Sequence, residues 1–152
     1  MSSEGREATY VESPIIMTTV RVVAPFVLAF GLFVMFHGAE SAGGGFQGGV
    51  IAGAVIIMLA FAYGIEPTRE WVGSSLLAIA AVSGVVVFAV VGLGAIVLGG
   101  GFLEYSVYGI DHASKYGIEL VELGIGATVA GVITALFFLL AAGFDAEEVD
   151  EA

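Results

Sequence analysis

The stretch TTVRVVAPFVLAFGLFVMF, residues 18–36, contains a single charged residue, Arg21, in an otherwise apolar run. A bilayer core requires about 20 mostly apolar residues per helix, so this run is long enough to cross it. Pro25 removes one intrahelical hydrogen bond, which a membrane helix tolerates when a neighbour satisfies the freed carbonyl group. The stretch therefore predicts a transmembrane helix with a kink near its middle.

Three further apolar runs follow the first one. None of the four shows the period-two alternation of a barrel strand, and lipid cannot satisfy free backbone amides, so each run is expected to be an α-helix. Glycine-rich or charged segments separate the runs. The predicted spans lie near residues 17–36, 48–63, 72–98 and 117–141.

The composition supports the same fold class. The chain is 59% hydrophobic and 12% charged, whereas soluble domains are roughly 45–50% apolar and about 25% charged. We predict an all-α integral membrane protein with four transmembrane helices in a single membrane domain, residues 1–152. Acidic segments at residues 1–13 and 145–152 flank the apolar core.

The distribution of charge predicts an orientation. With four spans, both termini share one face of the membrane with Arg6, Arg21 and Arg69, while Lys115 lies on the other face. The positive-inside rule then places both termini in the cytoplasm of a multi-pass plasma-membrane protein. The formal net charge of −11 disfavours nucleic acid as a partner. The chain has no cysteine, which excludes thiolate metal sites and iron–sulfur clusters, and we expect no cofactor.

A glycine-rich stretch joins the first two spans. Its sequence SAGGGFQGGV, residues 41–50, fits the dinucleotide-binding pattern G-x-G-x-x-G, but that pattern has meaning only between a strand and a helix of a βαβ unit. Here it lies between two predicted membrane helices, so dinucleotide binding is excluded. A sharp turn followed by close helix packing through Gly49 and Gly53 is the favoured interpretation. A re-entrant segment lining an ion path is the alternative.

The same region carries a family resemblance. HGAESAGGGFQGG, residues 37–49, resembles the loop of the B subunit (MnhB/MrpB-like domain) of Mrp-type multisubunit sodium/proton antiporters, with Ala42 in place of the usual proline. In the last span, the sequence KYGIELVELGIG stands where the family tends to have an Asp-Ile-Gly stretch. The positions that match the loop motif are His37, Gly38, Ser41, Gly43, Gly44, Gly45, Phe46, Gln47, Gly48 and Gly49.

The resemblance implies a subunit of a cation/proton antiporter that helps to assemble or flank the sodium path. Its implied partners are other membrane subunits, including large proton-translocating antiporter-like subunits, and the implied transported ions are sodium and protons. No constellation of catalytic residues is recognisable, so we expect a transporter-complex subunit and not an enzyme. Two alternatives stay open: a membrane-arm subunit of a hydrogenase-like, redox-driven ion pump, and a purely structural scaffold.

Three charged residues within the spans are candidates for function. Glu119 and Glu122 lie three residues apart and share a helix face, where they could form a proton or sodium relay, because adjacent carboxylates in a low dielectric resist double ionisation. Alternatively, they are stabilised by the helix dipole, interfacial water and Lys115. Arg21 is a candidate for pairing with a partner subunit, or snorkels to the interface.

Overall fold

The computed structural model describes residues 13–40 and 43–150, with side chains described up to residue 143. The described part is helical without strands. Four of its helices are long and apolar enough to cross a membrane, which confirms the predicted fold class. The elements are α1 (Pro14–Phe36), α2 (Gly45–Tyr63), α3 (Ile65–Val72), α4 (Ser74–Val97), a 3₁₀ helix (Tyr105–Tyr108) and α5 (Ala113–Asp150).

Helix α1 begins about one turn earlier than the predicted span. Ser13 is its N-cap, and the Ser13 hydroxyl accepts a hydrogen bond from the Ile16 amide at 3.4 Å. Pro14 occupies the first helical position, where its missing N–H would have no intrahelical partner. These two residues extend the helix before the apolar run starts. The predicted acidic segment at residues 1–13 lies, apart from Ser13, outside the described residues.

A short helix separates the second and third spans, which the sequence analysis did not predict. The third span was expected from residue 72, but α3 ends at Val72 and α4 begins at Ser74. Gly64 and Gly73, at the two ends of α3, have φ values of 101° and 74°. Glycine adopts such positive φ angles at little cost, so each of these residues ends one helix and redirects the chain into the next.

The four long helices lie in a row in the order α1, α2, α5, α4. Glycines bring neighbouring backbones together: a Cβ atom on Gly48 would lie 2.7 Å from the carbonyl oxygen of Gly31 in α1. A Cβ atom on Gly49 would lie 2.6 Å from the carbonyl oxygen of Gly126 in α5. The groove predicted on α2 therefore exists, and α5 of the same chain occupies it.

Helix α5 is enclosed by the chain on two sides. Small residues of α5 face α4. The Thr128 hydroxyl donates to the carbonyl oxygen of Ala81 at 3.0 Å, and Gly124 meets Gly84. The side that carries Glu122 faces the loop between α1 and α2. Both enclosed faces follow from the row arrangement, which places α5 between α2 and α4.

Candidate functional site

The glycine loop folds over the side chain of Glu122. A Cβ atom on Gly38 would overlap Glu122 Oε2, and one on Gly44 would overlap Glu122 Oε1. On Gly45 it would overlap the backbone carbonyl of Glu122 itself. We call Gly38, Gly44 and Gly45 the glycine cradle. With Glu122 in this position, none of the three has room for a Cβ atom.

One oxygen of the Glu122 carboxylate lacks a protein partner. Oε2 is buried and accepts no hydrogen bond from any described residue. One backbone amide of the cradle, that of Gly44, donates to the side chain of Gln47, whose Oε1 accepts at 3.1 Å. A buried carboxylate oxygen without a partner costs free energy unless a proton, a cation or water satisfies it. The cradle therefore holds an acidic group with unused binding capacity.

On the side of α2, the surroundings of the cradle favour a negative charge on the Glu122 carboxylate. Helix α2 starts at Gly45, so the positive end of its dipole lies next to the Glu122 carboxylate. Glu119 lies one turn closer to the start of α5 and is partly buried. The predicted last span begins at residue 117, which would place Glu122 in its second turn. Because α5 begins at Ala113, Glu122 lies in the third turn and deeper than predicted.

Lys115 pairs with the loop and not with Glu119. Its ammonium group donates a hydrogen bond to Glu40 Oε1 across 75 positions of sequence. The sequence analysis had considered Lys115 as the helical neighbour of Glu119, four residues apart, but the loop supplies a closer carboxylate. The hydrogen bond and the charge of Lys115 hold the pKa of Glu40 below its usual range. This exposed ion pair links the loop to the start of α5.

The remaining candidates are His37, Phe46, Ser41 and Arg21. His37 ends α1, where its Nδ1–H donates to the carbonyl oxygen of Phe33 at 2.9 Å and its ring contacts the Phe33 ring. Phe46 is 60% exposed and points away from the core. Ser41 lies outside the described residues. Arg21 is exposed on α1, about two turns from its start, and has no ion-pair partner among the described residues.

The other motif glycines have packing roles. Gly48 and Gly49 are the contact points with α1 and α5 described above, and Gly43 has a φ of 131° in the turn before α2. The motif thus divides into glycines that admit a carboxylate and glycines that admit a neighbouring helix. The sequence analysis assigned all of them to turns and packing, and missed their contact with Glu122.

A known family matches this chain. The match covers residues 15–135 and is described as a domain related to the MnhB subunit of Na+/H+ antiporter. The chain belongs to this family. The match includes the loop, the cradle and the part of α5 up to residue 135, so the relationship extends into the last span.

Named relatives agree with the family. A protein of Staphylococcus haemolyticus (strain JCSC1435), named "Putative antiporter subunit mnhB2", is 29% identical over 87% of this chain and 97% of its own length. The protein of the same name from Staphylococcus aureus (strain Newman) is 31% identical over the same shares. The chain is therefore a subunit of a multisubunit Na+/H+ antiporter and a multi-pass protein of the plasma membrane.

Proposed function

We propose that Glu122, together with Glu119, is the proton or sodium relay through which this subunit takes part in ion exchange. The observation that carries the proposal is the glycine cradle around a carboxylate whose buried Oε2 has no partner among the described residues. Ionisable residues inside membrane spans are costly and are found where ions or protons pass. A proton or a sodium ion supplies what this oxygen lacks.

The geometry supports exchange between two occupants of one carboxylate. When a cation leaves, the N-terminal end of α2 helps to stabilise the bare carboxylate. Glu119 provides a second carboxylate one turn away. It lies on the side toward the start of α5, where Lys115 pairs with Glu40. Two neighbouring carboxylates disfavour double ionisation, so a proton or cation on one of them makes ionisation of the other easier, and a charge on one favours a proton or cation on the other. This coupling is what a relay requires.

A relay within one small subunit needs a continuation elsewhere. We propose that other antiporter subunits, including large proton-translocating ones, supply it, as the family resemblance implies. Both termini are proposed to lie in the cytoplasm, which places the cradle in the outer half of the membrane. The subunit is expected to have no catalytic residues and to perform no covalent chemistry of its own.

The test compares single glutamate variants in the whole antiporter complex. Glu122→Gln keeps the shape of the side chain but cannot release a proton or bind a cation as a carboxylate, and is expected to abolish sodium-dependent proton movement in everted membrane vesicles. Glu119→Gln is expected to slow it. Glu70→Gln, which changes an exposed carboxylate on α3, serves as the matched control and is expected to have no effect.

The assembled complex is quantified for each variant by extraction in a gentle detergent. Unchanged exchange by an intact complex with Glu122→Gln would leave this subunit as a structural scaffold. The same extraction addresses the redox-driven alternative, because that alternative requires a redox protein to co-migrate with the chain. The antiporter names of the family and of its relatives favour the first function.

A further inference from the structure

Arg21 lies deep in the membrane on an uncovered face. Helix α1 is the first helix of the row, and its main neighbour among the described helices is α2, so much of its surface is exposed. Arg21 lies one turn before Pro25, the central residue of α1, and hence roughly 6 Å from the midpoint of the helix at 1.5 Å per residue. A hydrocarbon core of about 30 Å reaches roughly 15 Å to each side of that midpoint. The Cα atom of Arg21 is therefore well inside the apolar layer.

The backbone carbonyl of Arg21 is a second polar group at the same depth. Residue 25 of a regular helix would donate its N–H to the carbonyl oxygen of residue 21, but Pro25 has no N–H. The Arg21 position therefore presents a guanidinium group and a backbone carbonyl oxygen that lacks its usual donor. Snorkelling can carry the guanidinium toward the headgroups, yet it leaves the carbonyl oxygen at its depth. Lipid alone satisfies only one of the two groups.

The opposite end of the row has a different surface. Helix α4 exposes a face of aliphatic side chains and contains no charged residue. Such a face suits hydrocarbon tails and has no need of a protein partner. The contrast between the two outer helices identifies α1 as the side where a polar partner is required.

We propose that the Arg21 face of α1 docks against a transmembrane helix of another antiporter subunit that carries an aspartate or glutamate at the level of Arg21. The carboxylate pairs with the guanidinium in a geometry that arginine favours, and a hydrogen-bond donor on the same partner helix satisfies the freed carbonyl. The inference rests on membership of a multisubunit complex, and is independent of the relay at Glu122.

Site-specific photocrosslinking in the assembled complex tests the contact. Arg21 itself is left unchanged in this experiment. The chain has no cysteine, so a single cysteine carries the label, a maleimide with a benzophenone group. Leu28→Cys places it two turns beyond Arg21 on the same face, and Ile79→Cys places it on the exposed face of α4 as the control. We expect a protein adduct from position 28, at the mass of another membrane subunit, and only lipid adducts from position 79. Lipid adducts alone at both positions would overturn the inference.

Charge variants test the pairing itself. Arg21→Gln leaves a partner carboxylate unpaired in the membrane, so we expect recovery of the subunit in the complex to fall about tenfold or more, while Arg21→Lys retains most of it. Once the crosslink has identified the partner acid, changing that acid to Asn or Gln in the Arg21→Gln background should restore recovery. Full recovery of Arg21→Gln would contradict the proposal. A failed relay is distinguishable, because Glu122→Gln is expected to leave assembly intact.

Discussion

Replacing Gly44 by alanine tests whether the cradle exists to hold the Glu122 carboxylate. Gly44 has a φ of 176°, an extended conformation that alanine also adopts. The nearest obstacle to its new Cβ atom is Glu122 Oε1, the movable end of a side chain. The substitution therefore introduces overpacking without backbone strain, at a cost of about 1–3 kcal/mol in the free energy of unfolding.

The contact is isolated by a double-mutant cycle with Glu122→Ala, which removes the carboxylate and leaves space for the new methyl group. We expect Gly44→Ala to destabilise the native sequence but to cost less than about 0.5 kcal/mol in the Glu122→Ala background, which gives a coupling energy of about 1–3 kcal/mol. The assay is equilibrium unfolding of the full chain in mixed detergent micelles, followed by the fluorescence of Trp71, the one tryptophan.

Gly53→Ala is the matched control for that cycle. A Cβ atom on Gly53 meets its nearest neighbour at 3.4 Å, which is ordinary van der Waals contact, so the substitution should be tolerated in both backgrounds. If Gly44→Ala costs the same with and without the carboxylate, the cradle serves the fold of the loop alone. The interpretation of Glu122 as the group that selects these glycines would then be wrong.

Three other outcomes follow from the same contacts. Gly45→Ala places a methyl group against the backbone of α5, which cannot rotate away, so we expect loss of folded subunit from membranes, seen by immunoblotting. Thr128→Val removes the hydroxyl that bonds to α4 and should lower the free energy of unfolding by about 0.6 kcal/mol in the same unfolding assay. The lowered pKa of Glu40 means that its pairing stabilises the loop above the ordinary carboxylate pKa and is lost as the pH falls through the lowered value. Lys115→Gln should return that pKa toward its usual range, as measured by NMR titration of the labelled carboxyl carbon.

The sequence predicted the spanning helices well, because lipid leaves few choices to an apolar run. Length and hydropathy predicted four of them, and the described residues contain four. What sequence reasoning missed depends on backbone conformation: Gly64 and Gly73 terminate α3 through positive φ angles, and periodicity in a uniformly apolar region does not reveal such breaks. The pairing of Lys115 was also beyond reach, since Glu40 is distant in sequence but adjacent in space.

Glu122 and the glycine motif were predicted as separate features, but the contact between them was not. Glu122 and the glycine motif were both recognised as unusual, and each was interpreted separately. A periodicity argument places two residues on one helix face, but it gives no information about which distant loop covers that face.

The connection explains why a loop at the membrane boundary is so rich in glycine. A turn alone requires positive φ at one position, which Gly43 supplies, and helix packing accounts for Gly48 and Gly49. Neither requirement restricts Gly38 or Gly44, whose space is limited by the carboxylate of Glu122, 84 and 78 residues further along the chain. The Glu122 carboxylate is enclosed by this backbone, and its Oε2 has no partner among the described residues. The residues that are hardest to explain by folding are therefore those that the proposed relay needs.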